Sequence, residues 1–401
     1  MKKADKYSIS TNCVKESNVH ESGESHVFPL HASSAFSYQS IEDSIEVFKG
    51  NKEGYVYSRY GNPTVNEVQN KLAKLEGQNT DAEPSCVMTS SGLSAISTLA
   101  MSLLKPGDTV LTQNDLYGGT TEIMNKILVK YGVHVIYTDL QDLDKVEDTL
   151  KKNPSTKLIY FETPSNPTLK VIDIKAMATL AQKYDALTAI DNTFSTFYLQ
   201  QPMALGIDFV IYSTTKFLNG HGNSIAGAIL SKDKSYQKSI WNTMKLLGTN
   251  CNAWDAWLLH NGLKTLAIRM DRHSSNAMAI AKHLSQHTKV KRVNYPGLES
   301  HTLHDTAATQ MRQYGGMLSF EIDGDIQAGK TFMDKTELCT IAATLGNVDT
   351  LLLHPATSSH LNIDKAIREA SGITDGLIRM SIGIEDVQDL IGDIDQALDL
   401  I

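Results

Sequence analysis

Apolar and polar positions change their period repeatedly along the chain from residue 63 onward. Short apolar runs, typical of buried strands, alternate with stretches in which apolar residues recur every three to four positions, as in helices with one buried face. This alternation predicts an α/β fold with a large, mostly parallel sheet. The predicted strands lie at 86–88, 110–111, 133–137, 158–161, 187–191, 209–212 and 225–230, and the predicted helices at 65–76, 93–104, 121–131, 143–151 and 174–184.

The two ends of the chain have a different pattern. Residues 1–62 are polar and irregular, and they predict an N-terminal arm rather than a folded unit. Residues 63–260 carry the alternating pattern of the α/β domain. A helical stretch at 254–287 leads into residues 261–401, where mixed strands and helices predict a smaller C-terminal α+β domain.

Composition excludes several classes of protein. The chain has 401 residues, of which 41% are hydrophobic and 20% are charged, the balance of an ordinary globular protein. Its net charge of −8 argues against nucleic acid or an anionic membrane as a main partner. No apolar run is long enough to span a bilayer, and the basic N-terminus is not followed by the apolar segment of a secretion signal.

The cysteines and histidines predict neither a disulfide framework nor a metal site. The four cysteines are far apart and form no C-x-x-C pair, which is typical of reduced thiols in the cytoplasm. The nearest approach to a metal-binding spacing, His301-Thr-Leu-His304, has no third ligand nearby in sequence. We therefore expect a cytoplasmic protein without a bound metal ion.

One lysine directly follows a predicted buried strand. The apolar run 209–212 ends in three hydroxyl residues, 213–215, and Lys216 comes next. A lysine at the end of a buried strand is poorly hydrated, which lowers the pKa of its amine and makes the amine a usable nucleophile. Such an amine can form a Schiff base, and the hydroxyls before it can bind a phosphate. Taken alone, a surface lysine after a strand is the commoner explanation.

An aspartate ends another predicted strand. The stretch 187–191 is short and ends in Asp191. Ligands of α/β sheets bind outside the carboxyl ends of the strands, and both Asp191 and Lys216 follow such ends. A fixed carboxylate can keep a pyridine nitrogen protonated, the state in which pyridoxal phosphate (PLP) accepts electrons. Together, the two residues favour a PLP site over a simple helix cap at Asp191.

Small residues precede the predicted helix at 93–104, in the turn Ser90-Ser91-Gly92-Leu93. A turn of this kind presents free N–H groups and the positive end of the helix dipole to a phosphate. A serine cap explains the turn equally well from the sequence alone. Gly220-His-Gly222 lacks the spacing and the strand-to-helix context of a nucleotide-binding loop, and Gly315-Gly316 predicts a turn rather than a phosphate loop.

A series of motifs, in order along the chain, resembles one known family. Together with the Lys216 segment, they resemble the cystathionine γ-synthase/methionine γ-lyase group of fold-type I PLP enzymes, the enzymes of Cys/Met metabolism. They cover nearly the whole chain beyond its first few dozen residues. The motifs are Tyr57-Ser-Arg-Tyr-Gly-Asn-Pro-Thr64, Ser90-Ser-Gly-Leu-Ser-Ala95, Leu116-Tyr-Gly-Gly119, Glu162-Thr-Pro-Ser-Asn-Pro167, Asp191-Asn-Thr-Phe194, Gly262-Leu-Lys-Thr-Leu266 and Ile378-Arg-Met-Ser-Ile-Gly-Ile-Glu385.

The resemblance assigns roles to individual residues. It implies that Lys216 holds PLP and acts as a base, that Asp191 holds the pyridine nitrogen, and that Tyr117 stacks on the ring and assists the leaving group. Arg379 is then the clamp for the α-carboxylate of an amino acid substrate, with Thr344 where the family often has serine. The remaining cofactor contacts implied are Ser91, Gly92, Leu93, Asn166, Thr193, Ser213 and Thr215.

The resemblance also implies an assembly. Tyr57 and Arg59 match arm residues that cross into a neighbouring subunit and bind its PLP phosphate, a task that suits the planar guanidinium of arginine. Each active site then needs two chains. We therefore expect a homo-oligomer, with a dimer of shared active sites as the minimum and a tetramer as the implied assembly.

The sequence separates the activities of this family only in part. Leu353 stands where cystathionine lyases often have glutamate, which favours a short neutral substrate tail. Gly119, where methionine γ-lyases often have cysteine, and Thr357-Ser-Ser-His360 depart from the methionine γ-lyase pattern. We expect a C–S lyase of methionine γ-lyase type that yields a 2-oxo acid, ammonia and a thiol. The alternatives are γ-replacement by an O-acylhomoserine sulfhydrylase or cystathionine γ-synthase, a cystathionine lyase, and a PLP-binding protein without turnover.

Overall fold

The computed structural model describes residues 7–15, 25–361 and 364–401. These residues form a seven-stranded sheet in the order β1-β7-β6-β5-β4-β2-β3. Strand β7 runs antiparallel to both of its neighbours, and the pairs from β6 to β3 are parallel. The strands are β1 (Ser85–Thr89), β2 (Thr109–Thr112), β3 (His134–Tyr137), β4 (Thr156–Glu162), β5 (Leu187–Asp191), β6 (Phe209–Ser213) and β7 (Gly227–Ser231).

Both faces of this sheet are covered, which explains why its strands are apolar at almost every position. In β4, Ile159 and Phe161 belong to one hydrophobic cluster, whereas Leu158 and Tyr160 belong to another. The two-residue period of a strand thus sends alternate side chains to opposite faces. The α-helices up to residue 247 are α1 (Ile9–Val14), α2 (Ile41–Lys49), α3 (Pro63–Glu76), α4 (Gly92–Leu103), α5 (Gly118–Glu122), α6 (Leu143–Lys152), α7 (Ile174–Lys183), α8 (Thr196–Leu199) and α9 (Gln237–Leu247).

A second sheet lies in the C-terminal part of the chain. Its strands follow the order β10-β11-β12-β9-β8, and all pairs but β10–β11 are antiparallel. The strands are β8 (Val290–Asn294), β9 (Met317–Ile322), β10 (Thr340–Ile341), β11 (Leu351–Leu353) and β12 (Leu377–Ser381). The helices of this part are α10 (Ala253–Leu263), α11 (Leu266–Leu284), α12 (His304–Gln310), α13 (Ile326–Lys335), α14 (Lys365–Ala370) and α15 (Val387–Asp399).

A separate hydrophobic cluster holds the second sheet to its helices. Phe320 of β9 and Ile378 of β12 pack with Ile280, Phe332 and Ile394 from three helices. The α+β character of this part follows from an antiparallel sheet with helices against it. The predicted boundaries at residues 62/63 and 260/261 stay predictions, although the strands of the two sheets fall within 85–231 and 290–381.

Three local predictions need correction. The arm contains two helices, α1 and α2, each begun by a serine whose hydroxyl accepts a backbone N–H of the first turn. The stretch 254–287 is two helices, α10 and α11, because the chain turns between them at 264–265. The predicted helix at 121–131 continues α5 as a π-helical turn (Ile123–Leu128) and a 3₁₀ turn (Val129–Tyr131). Arm residues 1–6 and 16–24 lie outside the described residues.

The described part of the chain contains no candidate membrane-spanning helix and no candidate metal site. None of its helices is both long and apolar enough to cross a bilayer. No group of three histidine, cysteine or acidic side chains there could hold a metal ion. One ring nitrogen each of His301 and His304 lies within hydrogen-bonding distance of a backbone carbonyl, that of Leu169 and of Pro296.

Candidate active site

A cavity of about 300 Å³ lies at the carboxyl edge of the large sheet. Strands β4, β5 and β6 are parallel, so their last residues, Glu162, Asp191 and Ser213, reach the same edge. Strand β1 also ends there, since it is antiparallel to β7, which is antiparallel to β6. Residues 343–345 and Arg379 close the cavity from the C-terminal part of the chain.

Most of the predicted site residues line this one cavity, and Tyr57 and Arg59 do not. Arg59 instead donates from Nη1 to the Lys245 carbonyl at 2.6 Å, and its guanidinium lies 4.9 Å from the centre of the Tyr60 ring. Tyr57 is 44% exposed. The predicted residues that line the cavity are Ser91, Gly92, Leu93, Tyr117, Asn166, Asp191, Thr193, Ser213, Thr215, Lys216, Thr344 and Arg379.

Lys216 extends its amine into the cavity. The amine donates to the Thr344 hydroxyl at 2.8 Å, and no ion pair to a carboxylate is found for it in the described structure. Burial, together with the nearby positive charge of Arg379, lowers the pKa of Lys216 to about 8. The uncharged amine, which is the form that attacks an aldehyde, is therefore far more accessible near neutral pH than in an ordinary lysine, although most of the amine stays protonated.

A buried arginine donates hydrogen bonds to backbone carbonyls of the loop that follows Lys216. Arg269 of α11 donates to the carbonyls of Phe217, Leu218 and Gly262 at 2.7, 3.2 and 2.8 Å. Its Nε also donates to the Thr265 hydroxyl at 3.0 Å, in the turn between α10 and α11. These bonds connect the turn between α10 and α11 to the loop that follows Lys216. No local pattern in the sequence pointed to Arg269.

Asp191 is the last residue of β5 and lines the same cavity. Its carboxylate accepts the backbone N–H of Thr193 at 3.0 Å, and the Thr193 hydroxyl accepts the N–H of Ser213 at 2.8 Å. Burial raises the pKa of Asp191, and the hydrogen bonds from Thr193 oppose that shift. A buried carboxylate held in this way is ready to pair with a protonated ring nitrogen.

The N-terminus of α4 forms a narrow cradle beside Ser213. The Ser91 hydroxyl caps the helix by accepting the Ser94 N–H at 3.0 Å, and the first N–H groups of a helix have no acceptor within it. A Cβ on Gly92 would lie only 2.7 Å from the Ser213 Cβ. Glycine is therefore required where the helix start meets the strand end, which suits close approach of a phosphate.

Arg379 and its neighbours form the side of the cavity made by the second sheet. Arg379 donates from Nη2 to the Thr344 carbonyl at 2.8 Å and from Nη1 to the Asn166 side-chain oxygen at 3.3 Å. Its Nε is buried without a hydrogen-bond partner in the described structure. Burial lowers the pKa of Arg379 to about 10, yet the group stays charged at neutral pH. A guanidinium with an unused donor is suited to bind a carboxylate.

Tyr117 stands at the start of α5 and is 49% exposed. A Cβ on Gly119 would lie 2.8 Å from the Tyr117 ring and 3.0 Å from Leu93. The glycine therefore leaves room for the Tyr117 ring and the Leu93 side chain. A cysteine at this position would force the ring to move.

Several residues that line the cavity were not predicted from the sequence. The most important is Glu162, the last residue of β4, which contributes a second buried carboxyl group beside Asp191. A signal was present, because Glu162 ends a predicted apolar strand just as Asp191 does. The other missed lining residues are Ile96, Pro164, Phe194, Ile225, Ala343 and Leu345.

The residues present fit PLP. The cavity combines a lysine amine with a lowered pKa, a buried aspartate at a neighbouring strand end and a helix N-terminus where glycine leaves room for a phosphate. These are the groups that bind the aldehyde, the ring nitrogen and the phosphate of PLP. An arginine with an unpartnered donor adds a binding group for an amino acid carboxylate.

Comparison with known proteins agrees with this geometry. The family model of the Cys/Met metabolism PLP-dependent enzymes matches residues 10–399. An L-methionine gamma-lyase of Fusobacterium nucleatum subsp. polymorphum is 40% identical over 398 residues, 99% of each chain. A cystathionine beta-lyase of Lactococcus lactis subsp. cremoris is 44% identical over 350 residues, 87% of this chain and 90% of the relative.

A solved structure extends the comparison to the fold. The cystathionine gamma synthase from Xanthomonas oryzae pv. oryzae, in complex with aminoacrylate and cysteine, superposes with a TM-score of 0.91 at 36% identity and covers 98% of both chains. The site and fold thus define a fold-type I PLP enzyme. The chain belongs to the Cys/Met metabolism family of PLP-dependent enzymes. The predicted family, fold class and cofactor are confirmed, and the protein is an enzyme of the C–S lyase and synthase kind.

Proposed function

We propose that this enzyme eliminates the sulfur substituent of a sulfur amino acid in the manner of a methionine γ-lyase, giving a 2-oxo acid, ammonia and a thiol. The observation that carries the choice of substrate is the apolar side chain at Leu353. It lies directly opposite Arg379 in the antiparallel pair of β11 and β12, so both side chains point to the same face. Leu353 is buried, and a charged substrate tail there would lose its hydration without a partner.

The residues that line the cavity, among which Leu353 is not found, also favour a short neutral substrate. Ile225, Ala343 and Leu345 contribute apolar surface to the cavity. Glu162 and Asp191 are the only acidic residues among those that line it in the described structure, and both lie at the ends of the central strands. The distal ammonium group of cystathionine would therefore find no carboxylate on the side formed by the second sheet.

The mechanism assigns each step to a side chain of the cavity. When bound, PLP withdraws electrons from the substrate's α-carbon and so makes its proton removable. Arg379 binds the α-carboxylate and fixes the orientation of the α-carbon. The Lys216 amine, whose pKa burial lowers to about 8, is the base first for the α-proton and then for a β-proton, whose removal allows the sulfur on the γ-carbon to leave. Tyr117, at the open side of the cavity, supplies a proton to the departing sulfur.

Product analysis on the purified holoenzyme tests this proposal. Methionine, cystathionine, and O-acetylhomoserine with sulfide are supplied in separate reactions, and the products are identified. We expect methionine to give a 2-oxo acid, ammonia and a thiol with a higher kcat/KM than cystathionine. Rapid formation of a new thioether or thiol amino acid from O-acetylhomoserine, without turnover of methionine, would assign the enzyme to γ-replacement instead.

A pair of variants sharpens the assay. Leu353→Glu places a carboxylate opposite Arg379, so methionine turnover should fall while the ratio of cystathionine to methionine kcat/KM rises. Leu353→Met keeps an apolar side chain of similar volume and serves as the matched control. If a folded, PLP-loaded Leu353→Glu enzyme keeps the wild-type ratio of cystathionine to methionine kcat/KM, Leu353 does not determine the choice of substrate.

Cystathionine β-elimination is the second candidate, and a specific observation favours it. The cystathionine beta-lyase of Lactococcus lactis is 44% identical to this chain over 350 residues, against 40% over 398 residues for the methionine gamma-lyase of Fusobacterium nucleatum. The same assay separates the two activities. β-Elimination of cystathionine releases homocysteine and pyruvate, whereas γ-elimination of methionine releases a four-carbon 2-oxo acid.

We further propose that the active sites are shared between subunits of a homo-oligomer. The cradle at Gly92 needs a cation for a bound phosphate, and Lys216 and Arg379 are the only lysine and arginine among the lining residues described here. Arg59 lies outside the cavity of its own chain. A second chain that inserts its Tyr57 and Arg59 would complete the site, in a dimer at least and in a tetramer by family resemblance.

A reducing compartment such as the cytoplasm is the proposed location. Cys13, Cys86, Cys251 and Cys339 are all free and buried. Proteins with several unpaired thiols are typical of reducing compartments.

A further inference from the structure

Asp115 is an acidic residue behind the cavity to which the mechanism above gives no role. It lies between β2 and α5, two positions before Tyr117, and its side chain is only 9% exposed. Among the described residues, it is not one of those that line the cavity. A carboxylate removed from water is costly unless it is hydrogen-bonded, so its partners show what it holds together.

Two hydroxyl groups of another loop donate to the Asp115 carboxylate. The Ser165 hydroxyl donates to Oδ2 at 2.8 Å, and the Thr168 hydroxyl donates to the same oxygen at 3.2 Å. Ser165 is fully buried, and its Oγ also accepts the backbone N–H of Lys170 at 3.2 Å. Both hydroxyls belong to the loop that follows β4, so the carboxylate connects this loop to the segment before α5.

The second carboxylate oxygen is bound from the side of the large sheet. Oδ1 accepts a hydrogen bond from the Gln113 side-chain amide at 3.2 Å. The Gln113 side-chain oxygen in turn accepts the backbone N–H of Glu162, the last residue of β4, at 2.9 Å. The Lys170 ammonium lies 3.6 Å from Oδ2 of Asp115. Three hydrogen bonds and one nearby cation thus satisfy this carboxylate.

Each of the two connected loops carries a residue of the active site. Tyr117 directly precedes α5 and lines the cavity. Asn166 directly follows Ser165 and lines the cavity, and its side-chain oxygen accepts a hydrogen bond from Arg379 Nη1 at 3.3 Å. The Asp115 carboxylate therefore connects the backbone that carries Tyr117 to the backbone that carries a partner of Arg379.

We propose that Asp115 is a positioning residue of the active site: its carboxylate holds the loop of Tyr117 and the loop of Asn166 at a fixed separation. Without it, Asn166 moves relative to Arg379, which weakens the binding of an amino acid carboxylate and leaves the phosphate cradle at α4 unchanged. This inference rests on the proposed roles of Tyr117 and Arg379, and not on the choice of sulfur substrate.

Variants of the holoenzyme, with glycine as the ligand, test the proposal. Asp115→Ala removes the carboxylate, and Asp115→Asn keeps an acceptor oxygen in a side chain of the same size. The double variant Ser165→Ala/Thr168→Ala keeps the carboxylate and removes both hydroxyl donors, so it tests the same connection from the other loop. The measurements are the dissociation constant of glycine from the change in visible absorption, PLP release on dilution, and the melting temperature.

Asp208→Ala is the matched control. The Asp208 carboxylate also accepts a hydroxyl and a backbone N–H from a neighbouring strand, both from Thr188 at 2.8 Å. It directly precedes β6, whose other end reaches the cavity, so it lies at the opposite end of the same sheet. Asp208→Ala should lower the melting temperature without changing the affinity for glycine.

The expected pattern is specific to a connection between the two loops. Asp115→Ala and the double variant should each weaken glycine binding by about tenfold, while PLP release stays within about threefold of wild type. Asp115→Asn should keep the affinity for glycine within about threefold of wild type, because its amide oxygen can accept both hydroxyls.

Two results would overturn the proposal. Wild-type affinity for glycine in Asp115→Ala or in the double variant, with a lower melting temperature, would show that these groups only support the fold. Glycine binding as weak in Asp115→Asn as in Asp115→Ala would show that the charge acts and not the connection. Because glycine has no leaving group, failure of the methionine γ-lyase assignment would leave all of these measurements valid.

Discussion

Burial with few charged partners shifts the pKa of three groups in the cavity: Lys216, Arg379 and Asp191. Burial lowers the pKa of Lys216 to about 8 and of Arg379 to about 10, and it raises the pKa of Asp191. Each of these groups is suited to bind part of a ligand, because a charged ligand group compensates for the hydration that burial removed. At the scale of single residues, the site is therefore prepared for an aldehyde, a carboxylate and a protonated ring nitrogen.

Replacement of Arg379 tests the proposed carboxylate clamp. Arg379→Ala should keep PLP bound but raise KM for every amino acid substrate, since losing a buried charged partner costs roughly 2–5 kcal/mol and lowers kcat/KM more than about tenfold. Arg379→Lys should recover little, because a point charge cannot form two parallel bonds. Arg368→Ala is the control: Arg368 is buried in the same part of the chain but pairs with Asp375. An Arg379→Ala enzyme with reduced melting temperature and unchanged KM would refute the clamp.

Glu76 provides a test of burial outside the cavity. It is fully buried, it accepts a hydrogen bond from the Tyr212 hydroxyl, and burial raises its pKa from 4.5 to about 7. An acid whose pKa is raised by folding stabilises the fold below its unfolded pKa, and this stability is lost as the pH rises through about 7. The cost of ionisation is on the order of 3 kcal/mol.

Glu76→Gln should remove that pH dependence. The melting temperature of the variant minus that of wild type, both saturated with PLP, should increase as pH rises from about 5 to about 8. Glu122→Gln is the control, because its carboxylate is exposed and pairs with Lys126 on the surface. If the difference in melting temperature between Glu76→Gln and wild type stays constant across this range, burial does not raise the pKa of Glu76 as described.

At the scale of secondary-structure elements, the site is an edge where strands end together and one helix begins. Four strands end at this edge: β1, β4, β5 and β6. Helix α4 starts shortly after the end of β1. The close approach of α4 to β6 depends on Gly92, because any side chain there would meet Ser213. The position of the cradle is thus fixed by contacts between elements rather than by one residue.

Gly92→Ala tests the cradle. The added Cβ would lie 2.7 Å from the Ser213 Cβ, so the helix start must move away from the strand end. PLP release on dilution should increase by about tenfold or more. Gly392→Ala in α15 is the control, because no heavy atom lies within 4 Å of its added Cβ, and it should stabilise the helix slightly. Equal PLP affinity of both variants and wild type would contradict a phosphate cradle at α4.

The element pattern was predictable from the sequence, and the direction of one strand was not. Buried strands covered on both faces are apolar whether they run parallel or antiparallel, so Gly227–Ser231 carries no mark of its antiparallel course. The contacts of Arg269 were also hidden, because they join the turn between α10 and α11 to carbonyls near residue 217, far away in sequence. Glu162 could have been found by the rule that identified Asp191.

At the scale of the whole molecule, one cavity unites distant parts of the chain. Ser91 and Arg379 line the same space although 288 positions separate them in the numbering. The sequence could suggest this grouping only through the family resemblance, since no local pattern relates the small C-terminal sheet to the large one. Tyr57 and Arg59 are the predicted site residues that remain outside, which is the arrangement expected of an arm that serves another subunit.

Mixing two inactive variants tests the shared site. Arg59→Ala loses the arm contribution and Lys216→Ala loses the cofactor lysine, so each homo-oligomer should be inactive or nearly so. After subunit exchange, some sites combine the intact arm of one chain with the intact lysine of the other, and part of the activity should return. Exchange should be confirmed with differently tagged chains. Complete exchange without any recovery of activity would contradict sharing.

Peptide mapping after reduction is the most direct test of the central claim that the cavity binds PLP through Lys216. The holoenzyme is treated with borohydride, which makes the attachment permanent, and is then digested and analysed by mass spectrometry. The account predicts that the peptide containing Lys216 carries the phosphopyridoxyl group and that Lys216→Ala gives no labelled peptide. Labelling of a different lysine in the wild-type enzyme, or none at all in a preparation supplied with PLP, would contradict it.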